Sequence, residues 1–418
     1  MTPVRSRDVV VTSAAVLTSV ADTLTGFADA LRDGRSGVGR GHVPGFGTAQ
    51  VAALDLEAGP TSGPLADPGR RRRMRGATAR CAAPARLSAR VGWEAVIAAG
   101  LDTGQLSRSA VIVGGNNLAM RYQSEALARF AGGEGTVLPS HALAYLDVDA
   151  VGAASELTGV TAEGCAIGGS SASGTLAIIH AARLLALDAV DHCLVVGALS
   201  ELSAAEYRAL TDVGAMAAAS ELPPPAVCRP FDRGRSGFVH GHGTAALVLE
   251  RRDTARHHGR RPLAALAGHA QRLSGTRGAE PSPERQAETI RAALADAGLD
   301  ADDIDYVNAH ATGSRVGDKA EAEALFRVFG NSRPLVNSTK ELTGHCLSAA
   351  GVIEAVATLL QLRDGFCHPN PNLADPEDPR LAYVGPKPQA RRLRAAVSTS
   401  FAFSGINAAI VMTPAEDI

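Results

Sequence analysis

Four short segments of this chain carry the residue types that chemistry uses. Val307-Asn308-Ala309-His310-Ala311-Thr312-Gly313-Ser314 ends a strand-like run on a histidine flanked by alanines, so its imidazole can face a cavity. Taken alone, His310 also reads as a satisfied structural histidine. Asn337-Ser338-Thr339-Lys340-Glu341-Leu342-Thr343-Gly344-His345 places a lysine and a histidine five apart, with the histidine opening a helical pattern. The positive end of a helix disfavours imidazolium, and a neutral imidazole there can donate a hydrogen bond to a developing anion. Gly168-Gly169-Ser170-Ser171-Ala172-Ser173-Gly174 leads into the amphipathic run Leu176 to Leu187. A helix dipole alone does not ionise a serine hydroxyl, so a nucleophilic Ser171 requires an adjacent general base. Ser400-Phe401-Ala402-Phe403-Ser404-Gly405-Ile406-Asn407 sets small residues around two phenylalanines, a tight loop whose backbone N–H groups could face a site.

The elements that must hold these segments read as α/β, because short apolar runs alternate with longer helical patterns. Strands are expected at Val9–Val11, Ala110–Val113, Leu194–Val196, Thr244–Leu249, Tyr306–Asn308, Ala395–Ser398 and Ala408–Met412. Helices are expected at Leu87–Ala99, Ser171–Leu187, Ser203–Asp212, Pro283–Ala297, Lys319–Phe329 and Leu347–Leu362. Gly34 to Gly69, rich in Gly and Pro, reads as a surface excursion. The helix opened by Ser171 echoes a run opened by Cys346, 175 residues later. Both begin with small residues and turn apolar, which suggests a duplicated unit with two such helices packed at its centre.

Of the 418 residues, 45% are hydrophobic and 20% charged, ample for a large core. A single core stops growing at roughly 250–300 residues, so two fused halves are expected, 1–250 and 251–418. The net charge of −2 implies no global attraction to nucleic acid or membrane. The six cysteines form no CxxC pair, so neither a zinc site nor a redox motif is indicated, and reduced thiols fit a cytoplasmic protein. No signal-peptide stretch and no uncharged apolar run of about 18 residues is apparent.

In this order the segments resemble the β-ketoacyl synthase family. The resemblance includes Arg229-Pro230-Phe231-Asp232, then Ser236-Gly237-Phe238-Val239-His240-Gly241-His242-Gly243, and Gly317-Asp318 with Glu321 after the first histidine. It implies the thiolase fold, two duplicated βαβαβαββ halves in five αβαβα layers. It also implies a homodimer, an acyl carrier protein as partner, and no cofactor beyond the carrier's phosphopantetheine arm. The family nucleophile is a cysteine nine residues before a segment like His180-Ala181-Ala182-Arg183, and that count lands on Ser171. Cys165 lies six residues too early, within the strand feeding the turn, and reads as a structural thiol.

A thiol with a pKa near ~8.5 becomes a thiolate at a helix N-terminus, whereas a serine hydroxyl is far less acidic. Acyl transfer to the enzyme should therefore be slow or absent. Decarboxylation of a malonyl thioester needs no nucleophile, only donors for the enolate oxygen. The combination resembles the free-standing synthase-like decarboxylases of polyketide β-branching cassettes, which convert malonyl carrier protein to acetyl carrier protein. By position, the resemblance gives His310 and His345 the enolate oxygen. It has Lys340 held by Glu321, Thr312 and Ser314 on the pantetheine arm, and Asp318 in support. The N–H groups of Ser171 and Phe403 would form a second oxyanion hole, with Phe403 also at the acyl gate and Phe401 among the substrate-binding residues. Ala402 and Ser404 replace family glycines, which should stiffen that gate.

Two rival readings remain at this stage. Ser171 could be a true nucleophile activated by a histidine, in a condensing enzyme or acyltransferase. The chain could also be a non-catalytic partner like the chain-length-factor subunits, which usually lose the histidines that this chain keeps. Arg70 to Arg73 with Arg75 could receive an acidic carrier, and equally reads as a solvated helix face or subunit contact. His240 and His242 lack a third ligand and read as structural rather than metal-binding.

Overall fold

The computed structural model describes residues 8–59, 63–133, 137–218, 220–278 and 280–415. Two five-stranded sheets, joined edge to edge into one continuous 11-stranded sheet with a short outer strand at Ala382–Tyr383, form its frame. The first uses β1 (Val9–Thr18), β2 (Ser109–Gly114), β3 (Glu163–Ile167), β4 (His192–Gly197) and β5 (Gly243–Arg251). The second uses β6 (Ala264–Leu273), β7 (Tyr306–Asn308), β8 (Leu335–Asn337), β9 (Ala396–Ala402) and β10 (Ile406–Pro414). The spatial orders are β3-β2-β4-β5-β1 and β8-β7-β9-β10-β6, the same permutation of each half's own strands. In both, the four successive pairings run parallel, parallel, antiparallel, antiparallel. A short antiparallel pairing of Val9–Val11 with Ala264–Leu266 joins the sheets edge to edge.

Between the sheets lie α1 (Ser173–Ala186) and, from the second half, a helix at Ala350–Asp364. From Ala350 to Leu362 every residue of the latter is buried, the signature of a helix apolar all round. Outer layers are supplied by Ala83–Ala99 on the first sheet and by α2 (Pro283–Ala297) and α3 (Arg315–Phe329) on the second. The helix Ala350–Asp364 is α4. Ser282 and Ser314 cap α2 and α3 through hydroxyls that accept Arg285 and Gly317 N–H groups, and Gly298 (φ 67°) ends α2.

The two central helices meet through glycine. A Cβ on Gly174 would stand 2.9 Å from the Val352 amide nitrogen, and one on Gly351 would stand 2.7 Å from that of Thr175. Only hydrogen fits at either place. This contact corrects the register of the repeat. The 3-10 turns Ser170–Ala172 and Leu347–Ala349, the helix starts at 173 and 350, and the glycines at 174 and 351 are each 177 apart, not 175. Ser171-Ala172-Ser173-Gly174 therefore corresponds to Ser348-Ala349-Ala350-Gly351. The earlier offset followed the apolar pattern, which slides easily along Ala- and Leu-rich helices.

Two further expectations change. The Gly34–Gly69 stretch contains a hairpin, Gly39–Val43 with Gly47–Ala52, whose second strand pairs in parallel with His240–Gly241 and buries Val51 and Ala52. β6, β3 and β8 were missed, being short or carrying polar residues inside an apolar pattern. No helix of the described residues is long and apolar enough to cross a membrane.

Candidate active site

Ser171, His310 and His345 line one cavity of about 360 Å³, together with Thr312, Ser314, Asp318, Glu321, Phe401 and Phe403. Thus every proposed site residue except Lys340 reaches the cavity wall. Ser171 lies in the turn between β3 and α1, and Ser170 before it takes φ 51°. Asn116 supports that left-handed residue by accepting its N–H at 3.0 Å. Ser171 Oγ is 2.8 Å from His345 Nε2. Cys165 sits on β3, half-buried, where burial and then Glu163 push its thiol up. It does not line the cavity.

His310 follows the end of β7. Its N–H is shared between Glu321 Oε1 and Thr399 Oγ1, each at 2.9 Å, and the Ala311 N–H donates to Glu321 Oε2 at 2.7 Å. The Thr399 hydroxyl also donates to Glu321, at 2.7 Å. Asp318 organises the next loop by accepting the N–H groups of Phe231, Thr312 and Gly313. Burial pushes the Glu321 carboxyl up to about 7 and that of Asp318 up to about 6 against these donors. The Arg229–Asp232 and Gly237–Val239 motifs lie behind this loop. Phe238 packs edge-on to His345 at 5.2 Å, and the Val239 carbonyl accepts the His345 N–H at 2.7 Å.

The structure reassigns Lys340. Its ammonium pairs with Glu354 on α4, not with Glu321, and both members are almost wholly buried. Glu321 is already occupied by two backbone N–H groups and a hydroxyl. Glu354 was missed because its pattern is that of a core helix. Its one signal was an acid amid seven apolar neighbours, Val352 to Leu360 apart from Thr358. Burial pushes its carboxyl up to about 7, with Lys340 pulling the other way.

His345 does not begin a helix. It makes a bridge to His240, two residues before the turn at Leu347. Burial, then Lys340, then His240 hold its pKa well below the ordinary histidine value, and burial, Lys340 and His345 do the same for His310. Both imidazoles are therefore neutral, with ring centres 5.6 Å apart at 85°. Neither Nδ1 has a hydrogen-bond partner among the described residues. His240 is a buried structural residue whose Nδ1 lies 2.6 Å from the Tyr207 hydroxyl. Among the described residues no group of three or more His, Cys, Asp or Glu could hold a metal.

Phe401 lies on β9 with its ring 6.3 Å from that of His310, while Phe403 is 43% exposed. Ser404 takes φ 63°, the left-handed backbone a glycine would adopt without strain. Arg70–Arg75 lie on the helix Pro68–Thr78, away from the cavity lining. Arg73 donates to the Leu157 carbonyl and stands 5.2 Å over Trp93, so it is part of the packing.

Comparison with known proteins agrees with this architecture. Residues 6–255 match the β-ketoacyl synthase N-terminal domain and residues 263–374 the C-terminal domain. The polyketide biosynthesis malonyl-ACP decarboxylase PksF of Bacillus subtilis is 40% identical over 311 residues, 74% of this chain and 75% of that protein. The 3-oxoacyl-[acyl-carrier-protein] synthase 2 of Mycobacterium leprae is 38% identical over 243 residues, 57% of this chain and 58% of that one. A β-ketoacyl synthase from Burkholderia phymatum superposes with a TM-score of 0.86 at 26% identity, covering 98% of this chain and 100% of that one. With both domain profiles matched in order and the whole fold shared, the chain belongs to the β-ketoacyl synthase family.

Proposed function

We propose that this protein decarboxylates malonyl-S-acyl carrier protein to acetyl-S-acyl carrier protein in polyketide biosynthesis. The observation that carries the reading is a serine, hydrogen-bonded to a neutral histidine, at the family's nucleophile position. The thioester oxygen would sit between the Nε2 groups of His310 and His345. As the C–C bond to the carboxylate breaks, its electron pair moves into the thioester and carbon dioxide leaves. The two imidazole N–H groups meet the resulting oxyanion. Such donors contribute about 3–4 kcal/mol each in comparable sites. A proton then adds to the enolate carbon. Burial, reinforced by Lys340 held on Glu354, keeps both histidines neutral and so able to donate without holding a charge of their own.

The same geometry disfavours the serine-nucleophile reading. If His345 took the Ser171 proton, an imidazolium would form in a buried place facing Lys340. No carboxylate meets its Nδ1 among the described residues. A serine–histidine pair normally relies on such a third group. Retention of His310, Lys340 and His345 speaks against a non-catalytic partner subunit.

We read residues 1–250 and 251–418 as the duplicated halves, supported by their matching strand orders. We also read the protein as a homodimer. β3 is an outer strand, and Leu127, Phe130, Leu143 and Val148 on the helices of the 120–158 region, with Leu138 between two of them, are exposed. An open strand edge beside an apolar patch of this kind calls for cover.

The test is intact-protein mass spectrometry of malonyl carrier protein incubated with the enzyme. Loss of carbon dioxide from the carrier, with the enzyme's mass unchanged, is expected. An acyl adduct on Ser171 would overturn the reading in favour of a serine acyltransferase.

A further inference from the structure

We propose that Asn116 receives the terminal carboxylate of the malonyl group through its side-chain NH2, and so selects thioesters that end in a carboxylate. The inference rests on the decarboxylase reading above and adds a binding residue to the same site.

Asn116 follows β2 by two residues and lines the cavity together with Ser170 and Ser171. Its Oδ1 accepts the Ser170 N–H at 3.0 Å. A backbone N–H can only donate, so this contact fixes which way the amide faces, with Nδ2 turned away from the Ser170 nitrogen. The side chain is also seated over Gly168, where a Cβ would stand 3.0 Å from the Asn116 Cβ and 3.5 Å from its Cγ. Nδ2 makes no hydrogen bond among the described residues, and it is not one of the polar atoms closed off from solvent. Asn116 thus brings a held, open donor to the cavity wall.

A malonyl thioester is short, with one methylene between its two carbonyl carbons. A group that holds the carboxylate must therefore stand close to the two histidines. Asn116 does so through the turn it supports: Ser170 is its partner, and Ser171, the next residue, is hydrogen-bonded to His345. The rest of the lining favours a neutral donor. Among the described residues the cavity wall carries no lysine or arginine, and its ionisable groups are four acids and two neutral imidazoles. A cation would hold the carboxylate more tightly before reaction than in the transition state, where its charge is already moving to the thioester oxygen. An amide N–H orients the carboxylate by a charge-assisted hydrogen bond and opposes its departure less.

The experiment uses the full-length protein and Asn116→Asp, which keeps an oxygen for the Ser170 N–H and exchanges the Nδ2 donor for an anionic oxygen. Two constants are measured, with melting temperatures alongside: KM for malonyl carrier protein, and the inhibition constant of acetyl carrier protein, which lacks the carboxylate. KM should rise about ten- to hundredfold, the size of a lost hydrogen bond to a charged group. The inhibition constant should stay within about twofold. Asn116→Ser removes the donor without adding charge and gives the same pair of constants if the aspartate variant fails to fold. A KM that does not move, or a KM and an inhibition constant that rise together as a displaced turn would make them, overturns the inference while leaving the decarboxylase reading intact. A wild-type protein that releases no carbon dioxide from malonyl carrier protein overturns both.

Discussion

The turn at Ser170–Ser173 and its counterpart at Leu347–Ala350 share one backbone and do different work. Each places a non-glycine residue in the left-handed region, Ser170 at φ 51° and Leu347 at φ 48°, then a 3-10 turn, then a central helix with a glycine in its first turn. The first turn presents Ser171 to His345. The second has Ser348 in the equivalent place, while its surroundings supply His345, Lys340 and Glu354. Duplication thus provides a symmetric scaffold, and side chains divide it into a substrate-facing turn and a charge-holding turn. The division follows from packing: with both helices pressed together through glycine, Glu354 on α4 is dry and holds Lys340, the cation that acts on both histidines.

The comparison breaks most completely at the charge-holding side. Glu354→Gln leaves Lys340 buried without a partner, and unfolding in urea should show a loss of about 3–5 kcal/mol. Next come the donors. His310→Ala and His345→Ala should each lower the turnover number about 10²–10³-fold with little change in melting temperature, measured as carbon dioxide release. A smaller effect is expected at the shared contact. Gly174→Ala and Gly351→Ala should each destabilise by about 1–3 kcal/mol, because a methyl group is forced into a closed core. Gly76→Ala, where nothing lies within 4 Å, should instead be neutral or stabilise by up to ~1 kcal/mol. Ser171→Ala should be the mildest for decarboxylation, within about threefold of wild type, since the hydroxyl takes no part in holding the enolate. A large loss there would place the chemistry on the serine and collapse the distinction between the turns.

The charge state sharpens the same contrast. Both histidines have pKa values lowered by burial and Lys340, so acid must go well below the ordinary histidine range to charge them. Nitrogen NMR of the two side chains should show the neutral form unchanged from pH 8 down through 6.5. In the unfolded chain these imidazoles take up protons near ~6.5. Their contribution to stability is therefore present above that pH and falls away on acidification toward the folded pKa. Titration of either histidine near 6.5 in the folded protein would contradict the role given to Lys340.

Much of this site was legible beforehand because its motifs are local. His310 at a strand end, Ser171 at a helix opening, and the small-residue loop around Phe401 are short-range patterns, and each element formed where expected within a few residues. The partner of Lys340 was not legible: Glu321 and Glu354 are both acids at plausible distances along the chain, and nothing short-range distinguishes them. The repeat register failed by two residues for a related reason, since an apolar helix looks much the same when shifted.

By itself the sequence determined the α/β alternation, the family, the identity of the nucleophile-position residue, and the set of groups able to do chemistry. These depend on residue type and on spacing within one or two elements. Only the tertiary structure decided which carboxylate meets Lys340, and that His345 is neutral through burial and a nearby cation rather than a helix end. Those outcomes depend on which surfaces lose water when sheets and helices from distant parts of the chain close on one another, and on distances that spacing along a chain does not encode.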